Sequence, residues 1–248
     1  MRTQFFFGIL LSSVLSGCAL FSIHSKSDPE GVSSTTAGWK ADRLLHLTCE
    51  AGKGVSQVNG TVWLKTLSKE VQGQFNASVM AWAPDRLKLE VSNFIGGPIA
   101  LISVHKRHYE IVRGSGEPMG AEDVDSWGGI PLRWAADLFL GRIPCPTSLE
   151  HLVVFKDEAS ELNVEDRNDA LGTQNFIFKY KRLEDGSPWP ESLHWERGAP
   201  FEARVDFKFD KPEQGTLSPL QWEATSKDGV IKVRWKDRRR DSVNEGSH

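Results

Sequence analysis

Arg86-Leu87-Lys88-Leu89-Glu90-Val91-Ser92-Asn93-Phe94-Ile95-Gly96-Gly97-Pro98-Ile99-Ala100-Leu101 is the stretch on which the reading of the fold turns. Leu87, Leu89 and Val91 alternate with Lys88, Glu90 and Ser92, the period of a strand with one face buried and the other wet. The run then breaks at Gly96-Gly97-Pro98, a sequence that makes a tight, exposed turn. Apolar residues resume at Ile99 and continue to Val104, interrupted only by Ser103. Strand, turn and strand within so few residues predict an antiparallel hairpin, and the segments around it repeat the pattern.

Working outward, Thr61 to Leu67 and Gly73 to Trp82 read as strands before it, the second with Phe75, Ala77, Val79 and Ala81 on one face. His108 to Val112 follows it. Further on, Phe176, Phe178 and Tyr180 share a face, as do Val205, Phe207 and Phe209, and finally Ile231, Val233 and Trp235. Asp85, Asp185-Gly186 and Asp228-Gly229 mark turns, the last being the strongest hairpin signal. Two helices interrupt the strands. The first runs from about Trp39 to Ala51, with Leu44, Leu45 and Leu47 apolar. The second lies between Pro131, suited to a helix start, and Gly141, suited to its end. Its apolar face is wide: Leu132, Trp134, Ala135, Ala136, Leu138 and Phe139. Such a helix needs partners on two sides. The expected fold is mainly β (α+β): a curved antiparallel sheet forming an incomplete barrel, with helices covering the open side. A curled sheet must fill its concave face with side chains, a helix or a ligand.

The N-terminus carries a different signal. Arg2 precedes the apolar run Phe5, Phe6, Phe7, Ile9, Leu10 and Leu11. That run is shorter than the ~20 residues of a membrane-spanning helix. A positive start, a short apolar core and small residues before a cut mark a secretory signal peptide. The cut region, Leu15-Ser16-Gly17-Cys18, resembles the lipobox of bacterial lipoproteins. The resemblance implies a signal peptide over residues 1–17 and acylation of the Cys18 thiol. One acyl chain gives only marginal membrane binding, so several chains are required for a stable anchor. Ala19 stands where an Asp would favour retention in the inner membrane; the outer membrane is therefore expected. Residues 18–38, rich in Ser, Thr and Gly, read as a flexible tether, 39–236 as the folded domain, and 237–248 as a polar tail.

Composition narrows the function. With 30 basic and 33 acidic residues the formal charge is −3, and loss of Arg2 makes it more negative. This is no nucleic-acid binder. Cys49 and Cys145 can form a disulfide in an oxidising compartment or remain buried thiols. There is no CxxC and no His pair at ligand spacing, so no metal and no cofactor are expected. His105 and His108 read as surface residues and Gly114-Ser115-Gly116 as a loop. No nucleophile elbow or triad order marks an enzyme.

Three segments in order resemble the LolB family of outer-membrane lipoprotein receptors, of the LolA/LolB fold. They are Arg86 to Leu101, Ile130-Pro131-Leu132 leading to Phe139-Leu140-Gly141-Arg142-Ile143-Pro144, and the final hairpin Asp228 to Val233. The resemblance implies an incomplete barrel around an apolar cavity for acyl chains. Wall candidates are Leu87, Leu89, Val91, Ile99, Leu101, Trp134, Leu138 and Phe139. It implies a loop, 93–97, whose exposed apolar residue meets the membrane, with Ile95 at the matching position. Phe94 departs from the family, which has Pro there. The tip thus carries two bulky apolar residues, either for membrane contact or tucked inside. The implied protein is a monomer on the periplasmic face of the outer membrane. Its partners are the membrane through lipid on Cys18, acyl chains of lipoproteins, and a LolA-like periplasmic carrier. The competing expectation is an envelope-assembly or structural lipoprotein of the same fold with a filled interior, Trp63, Trp82 and Trp222 inside.

Overall fold

In the computed structural model, the described residues are 40–68, 72–106, 108–116, 118–123, 126–147, 151–156, 160–168, 172–199, 202–214 and 216–242. The expected signal peptide and tether, Cys18 and Trp39 lie outside them.

The described residues open with α1 (Ala41–Glu50), then β1 (Val55–Ser68), β2 (Gln72–Trp82), β3 (Arg86–Ser92), β4 (Pro98–His105), β5 (His108–Arg113) and β6 (Pro118–Asp123). The short strands β7 (Ser126–Trp127) and β8 (Ile130–Pro131) lead into α2 (Leu132–Leu140). A second set follows: β9 (His151–Lys156), β10 (Glu161–Asn168), β11 (Gly172–Arg182), β12 (Pro188–Arg197), β13 (Ala203–Pro212), β14 (Pro219–Ser226) and β15 (Gly229–Ser242).

Thirteen of these strands form one antiparallel sheet in the order β6-β5-β4-β3-β2-β1-β15-β14-β13-β12-β11-β10-β9. The first set meanders away from β1 to one edge. The chain then crosses through α2 to the far edge and meanders back until β15 pairs with β1. Among the described strand pairs, only that closing one, Val55↔Ser242 through Ser68↔Gly229, joins strands distant in sequence. The sheet ends at β6 and β9 and is not closed into a barrel. This is the expected fold class: mainly antiparallel strand, with two helices among the described residues.

The concave face is apolar because each strand turns its alternate residues inward. Val62 and Leu64, Ala77 and Val79, Leu87 and Leu89, Phe176 and Phe178, Val205 and Phe207, and Ile231 and Val233 are all buried. Helix α2 lies against β1 to β4 on that side. Seven of its nine residues are buried. It ends at Gly141, which is left-handed (φ 82°) and donates its backbone N–H to Leu138 O at 3.2 Å. A side chain at 141 would collide with the Ser218 hydroxyl, which itself donates to Gly141 O at 2.8 Å.

Helix α1 packs on β9 and β10. Leu44 and Leu45 are buried there, and the Thr48 hydroxyl lies 2.8 Å from the Tyr180 phenol. Cys49 and Cys145 are joined in a disulfide, with Cα atoms 5.8 Å apart and 96 residues between them. Of the two states the sequence allowed, the structure holds this one. A cross-link closing so long a loop constrains the unfolded chain strongly. Replacing both cysteines by Ser is expected to lower unfolding free energy by about 2–4 kcal/mol. Paired urea titrations of the oxidised parent and the double variant would check this; coincident midpoints would refute it.

The C-terminus differs from expectation. The polar tail assigned to residues 237–248 is, as far as Ser242, the second half of β15. A register irregularity between Thr61 and Val62 changes which residues of β15 face inward. Beyond it the Arg238 side chain is only 1% exposed and donates to Glu213 Oε2 at 2.7 Å and Pro219 O at 3.1 Å. Arg240 also pairs with Glu213. Burial, and the neighbouring Arg240 after it, lower the Arg238 guanidinium to about 10. Charged residues in this stretch conceal a strand whose inward positions are arginines.

Candidate functional site

The β3–β4 hairpin builds the candidate site. Its five connecting residues, 93–97, are held by one side chain. Asn93 Oδ1 accepts the backbone N–H of Ile95 at 3.1 Å and of Gly97 at 2.8 Å. The backbone closes the same turn: Asn93 N–H donates to Gly97 O at 2.9 Å and Gly96 N–H to Asn93 O at 3.1 Å. Gly96 supplies the left-handed conformation (φ 86°) that L side chains rarely adopt. A Cβ at Gly97 would stand 2.8 Å from Asn93 Nδ2, so the amide leaves no room for one.

This frame presents two apolar side chains to the outside. Ile95 is 94% exposed and Phe94 61%. The loop is not tucked inside, and neither residue caps the core. Asn93→Ala removes the side-chain oxygen that accepts both hydrogen bonds and leaves Phe94 and Ile95 unchanged. At about 0.5–1.5 kcal/mol for each hydrogen bond, faster amide exchange is expected at Ile95 and Gly97, with the melting transition little changed. Unaltered exchange at both amides would show that Asn93 does not set the loop.

Phe94 leans over the convex face of the sheet. Its ring meets Trp63 edge-on, centroids 6.2 Å apart. Trp63 is 37% exposed on that face, since its neighbours Val62 and Leu64 take the inward positions. The Arg234 guanidinium lies 5.0 Å from the Trp63 ring and Lys236 Nζ 5.3 Å. Both are cation–π distances. Lys236 also donates to Asn76 Oδ1 at 2.6 Å.

On the concave side the structure brings together six of the eight cavity candidates. Leu87, Leu89 and Val91 face inward from β3, and Trp134, Leu138 and Phe139 face them from α2; all six are buried. Ile99 and Leu101 are not with them. Leu101 pairs with Glu90, an outward position, and Ile99 is 37% exposed. The inward residues of β4 are Ile102 and Val104. An unbroken apolar run has no period from which to assign a face, and only the register with β3 decides it.

The inward aromatic residues fill the concavity. Trp134 packs edge-on to Trp195 at 4.8 Å and to Phe176 and Phe207 at 6.1 Å. Phe139 packs on Trp222 at 5.6 Å and Trp235 at 6.3 Å. Trp222 is inside, as the filled-interior expectation has it; Trp63 is outside and Trp82 half-buried. Beside the disulfide lies a small cavity of about 210 Å³. Lys53, Arg133, Asp137 and Arg142 line it together with Trp134, Ile143, Pro146 and the disulfide, so its walls mix charged and apolar groups. Asp137 is engaged by Arg142 at 2.9 Å, yet burial outweighs that pairing and raises its pKa. Among the described residues no group of three or more His, Cys, Asp or Glu can hold a metal ion. Among them also no helix is long and apolar enough to cross a membrane.

The sequence reading placed Trp63 inside and missed Arg234. The alternation Ile231, Val233, Trp235 marks Arg234 as outward. Nothing local shows that it faces a tryptophan some 170 residues earlier.

No family model matches the chain, and no curated protein matches it. Among solved structures, a LolA superfamily protein of Nitrosomonas europaea is similar at a TM-score of 0.48 and 11% identity, over 83% of this chain and 95% of that one. The lipoprotein LppX of Mycobacterium tuberculosis is similar at 0.32 and 12%, over 84% and 97%. LprF of Mycobacterium bovis is similar at 0.30 and 11%, again over 84% and 97%. At these values the likeness carries nothing about function, and the fold class rests on the strand order of the chain itself.

Proposed function

We propose that this chain is a lipid-anchored protein on the periplasmic face of the outer membrane. It binds the acyl chains of lipoproteins received from a LolA-like carrier and helps insert them into that membrane. The observation that carries the reading is the Asn93-braced loop with Ile95 94% exposed at its tip. A rigid turn that spends no apolar burial on its own fold is suited to a bilayer. Burying a Phe or Ile side chain contributes roughly 1.5–3 kcal/mol. Such a tip therefore guides contact, while the lipid on Cys18 supplies the anchor.

Acyl-chain binding uses the inward face of β1 to β4, which is apolar along its length. In this structure α2 occupies that face, so cargo enters by displacing α2. Transfer needs no cofactor or nucleotide, because delivery to a tighter-binding acceptor runs downhill.

One observation favours a second reading. Trp134, Leu138 and Phe139 are 0–2% exposed, packed as a core helix would be. A permanently seated α2 makes the chain an envelope-assembly or structural lipoprotein without lipoprotein transfer.

The experiment uses the mature chain with Cys18→Ser, so that no lipid is attached. It is offered a lipoprotein held by a purified LolA-like carrier. Uptake, followed by release into liposomes, supports the receptor reading. Absence of uptake by the folded chain from an active donor overturns it and leaves the second reading.

A further inference from the structure

The convex face beside the loop concentrates positive charge in a chain whose formal charge is negative. Trp63 and Lys65 are outward residues of β1, two apart on either side of the buried Leu64. Arg234 pairs with Trp63 from β15, and Lys232 with Lys65. The carboxylates nearby are engaged. Glu223 pairs with Lys232, Glu90 holds Lys88 at 2.8 Å, and Asp237 accepts the Thr61 N–H and hydroxyl. Among the described residues Lys65, Arg234 and Lys236 have no carboxylate in salt-bridge reach. Arg234 and Lys236 lie over a half-exposed indole that touches Phe94, next to the exposed Ile95, and Lys65 is the next outward position of β1. The order across this face is apolar tip, then amphipathic indole, then cations. That matches the order a bilayer presents, from hydrocarbon edge through interface to phosphates.

We propose that Trp63, Lys65, Arg234 and Lys236 form a docking surface for anionic phospholipid headgroups, seating the protein on the bilayer while Phe94 and Ile95 enter its edge. The proposal rests on the bilayer-facing reading of the loop and adds a lipid class and an orientation to it. Charge complementarity selects the occupant. The tryptophan serves as the interfacial residue and holds two of the cations over its ring faces.

The test is co-sedimentation of the mature Cys18→Ser chain with vesicles. One set contains phosphatidylglycerol mixed with phosphatidylcholine, the other phosphatidylcholine alone. The parent is expected to bind the anionic set more tightly, and added salt to remove the difference; this arm needs no variant. Lys65→Gln, Arg234→Gln and Lys236→Gln are each expected to weaken anionic binding about fivefold, and all three together roughly a hundredfold. Binding to phosphatidylcholine should not change. These are surface positions, and a near-ultraviolet circular dichroism spectrum checks that the triple variant is folded. Ile95→Asp should instead weaken binding to both sets. If the triple variant binds anionic vesicles like the parent, the proposal is overturned while the loop reading stands. If the parent binds neither set, both fall. If the triple variant keeps vesicle binding and loses only capture from an acidic carrier, the surface belongs to a protein partner and the proposal is again overturned.

Discussion

An Ile95→Asp chain is expected to fold like the parent and to fail at the membrane. With 94% of the side chain exposed, the substitution takes nothing from the core. Surface changes of this kind alter stability by about 0.5 kcal/mol or less. The loop hydrogen bonds also survive, because Asn93 binds the backbone N–H of residue 95 and not its side chain. At the bilayer the balance is different. The variant loses the roughly 1.5–3 kcal/mol that burying Ile contributes. A carboxylate adds a penalty of up to about 3 kcal/mol if carried into hydrocarbon. Together these predict a fall of about a hundredfold or more in loop-driven contact with liposomes. Lipoprotein uptake from a carrier should persist, since the concave face is untouched, and release into liposomes should stop. Phe94→Asp should act in the same direction but less strongly, as Phe94 is partly covered by Trp63. Release at the parent rate from a loaded Ile95→Asp chain would remove the loop from the delivery step.

Trp134→Ala is the substitution with the largest expected effect on stability. The indole is 2% exposed and stands among Trp195, Phe176 and Phe207, with the Arg133 guanidinium 4.7 Å over its ring. Truncating a buried aromatic residue costs about 3–5 kcal/mol, through lost transfer energy and the cavity left behind. The urea midpoint should fall accordingly with little change in slope. A loss below about 1 kcal/mol would show that α2 is not packed as core. The variant also separates the two functional readings. If acyl chains enter by displacing α2, a helix deprived of its main anchor opens more readily, and uptake of a fluorescent fatty acid should rise. If α2 is a permanent core element, stability falls and uptake does not change.

Where apolar and polar residues alternate, the sequence alone sufficed. Leu87 to Val91, Phe176 to Tyr180, Val205 to Phe209 and Ile231 to Trp235 declare both a strand and its buried face. Proline and glycine at 131 and 141 bracketed α2, which runs from Leu132 to Leu140. The turn beside Phe94 and Ile95 was legible because Gly96-Gly97-Pro98 has few uses other than a tight turn, whereas the outward direction of the two side chains was not. Other strands were silent for identifiable reasons. Strand β10 turns Leu162 and Val164 inward and then Asp166, which is fully buried. Strand β12 begins with Pro188 and Pro190 and carries a register irregularity opposite Lys179 and Tyr180. Both depart from a simple period of two.

The sequence by itself determined the class of fold, the position of the second helix and the apolar loop tip. Each depends on contacts between residues close along the chain, whose spacing encodes them. Tertiary structure decided which face of β4 is buried, that residues 237–242 complete a strand, that Cys49 meets Cys145, and that Trp63 stands beside Arg234 and Lys236. Those outcomes follow from pairing between segments remote in sequence, above all β1 with β15. Register there is set by the packing of the whole concave face around α2, and no local pattern specifies it.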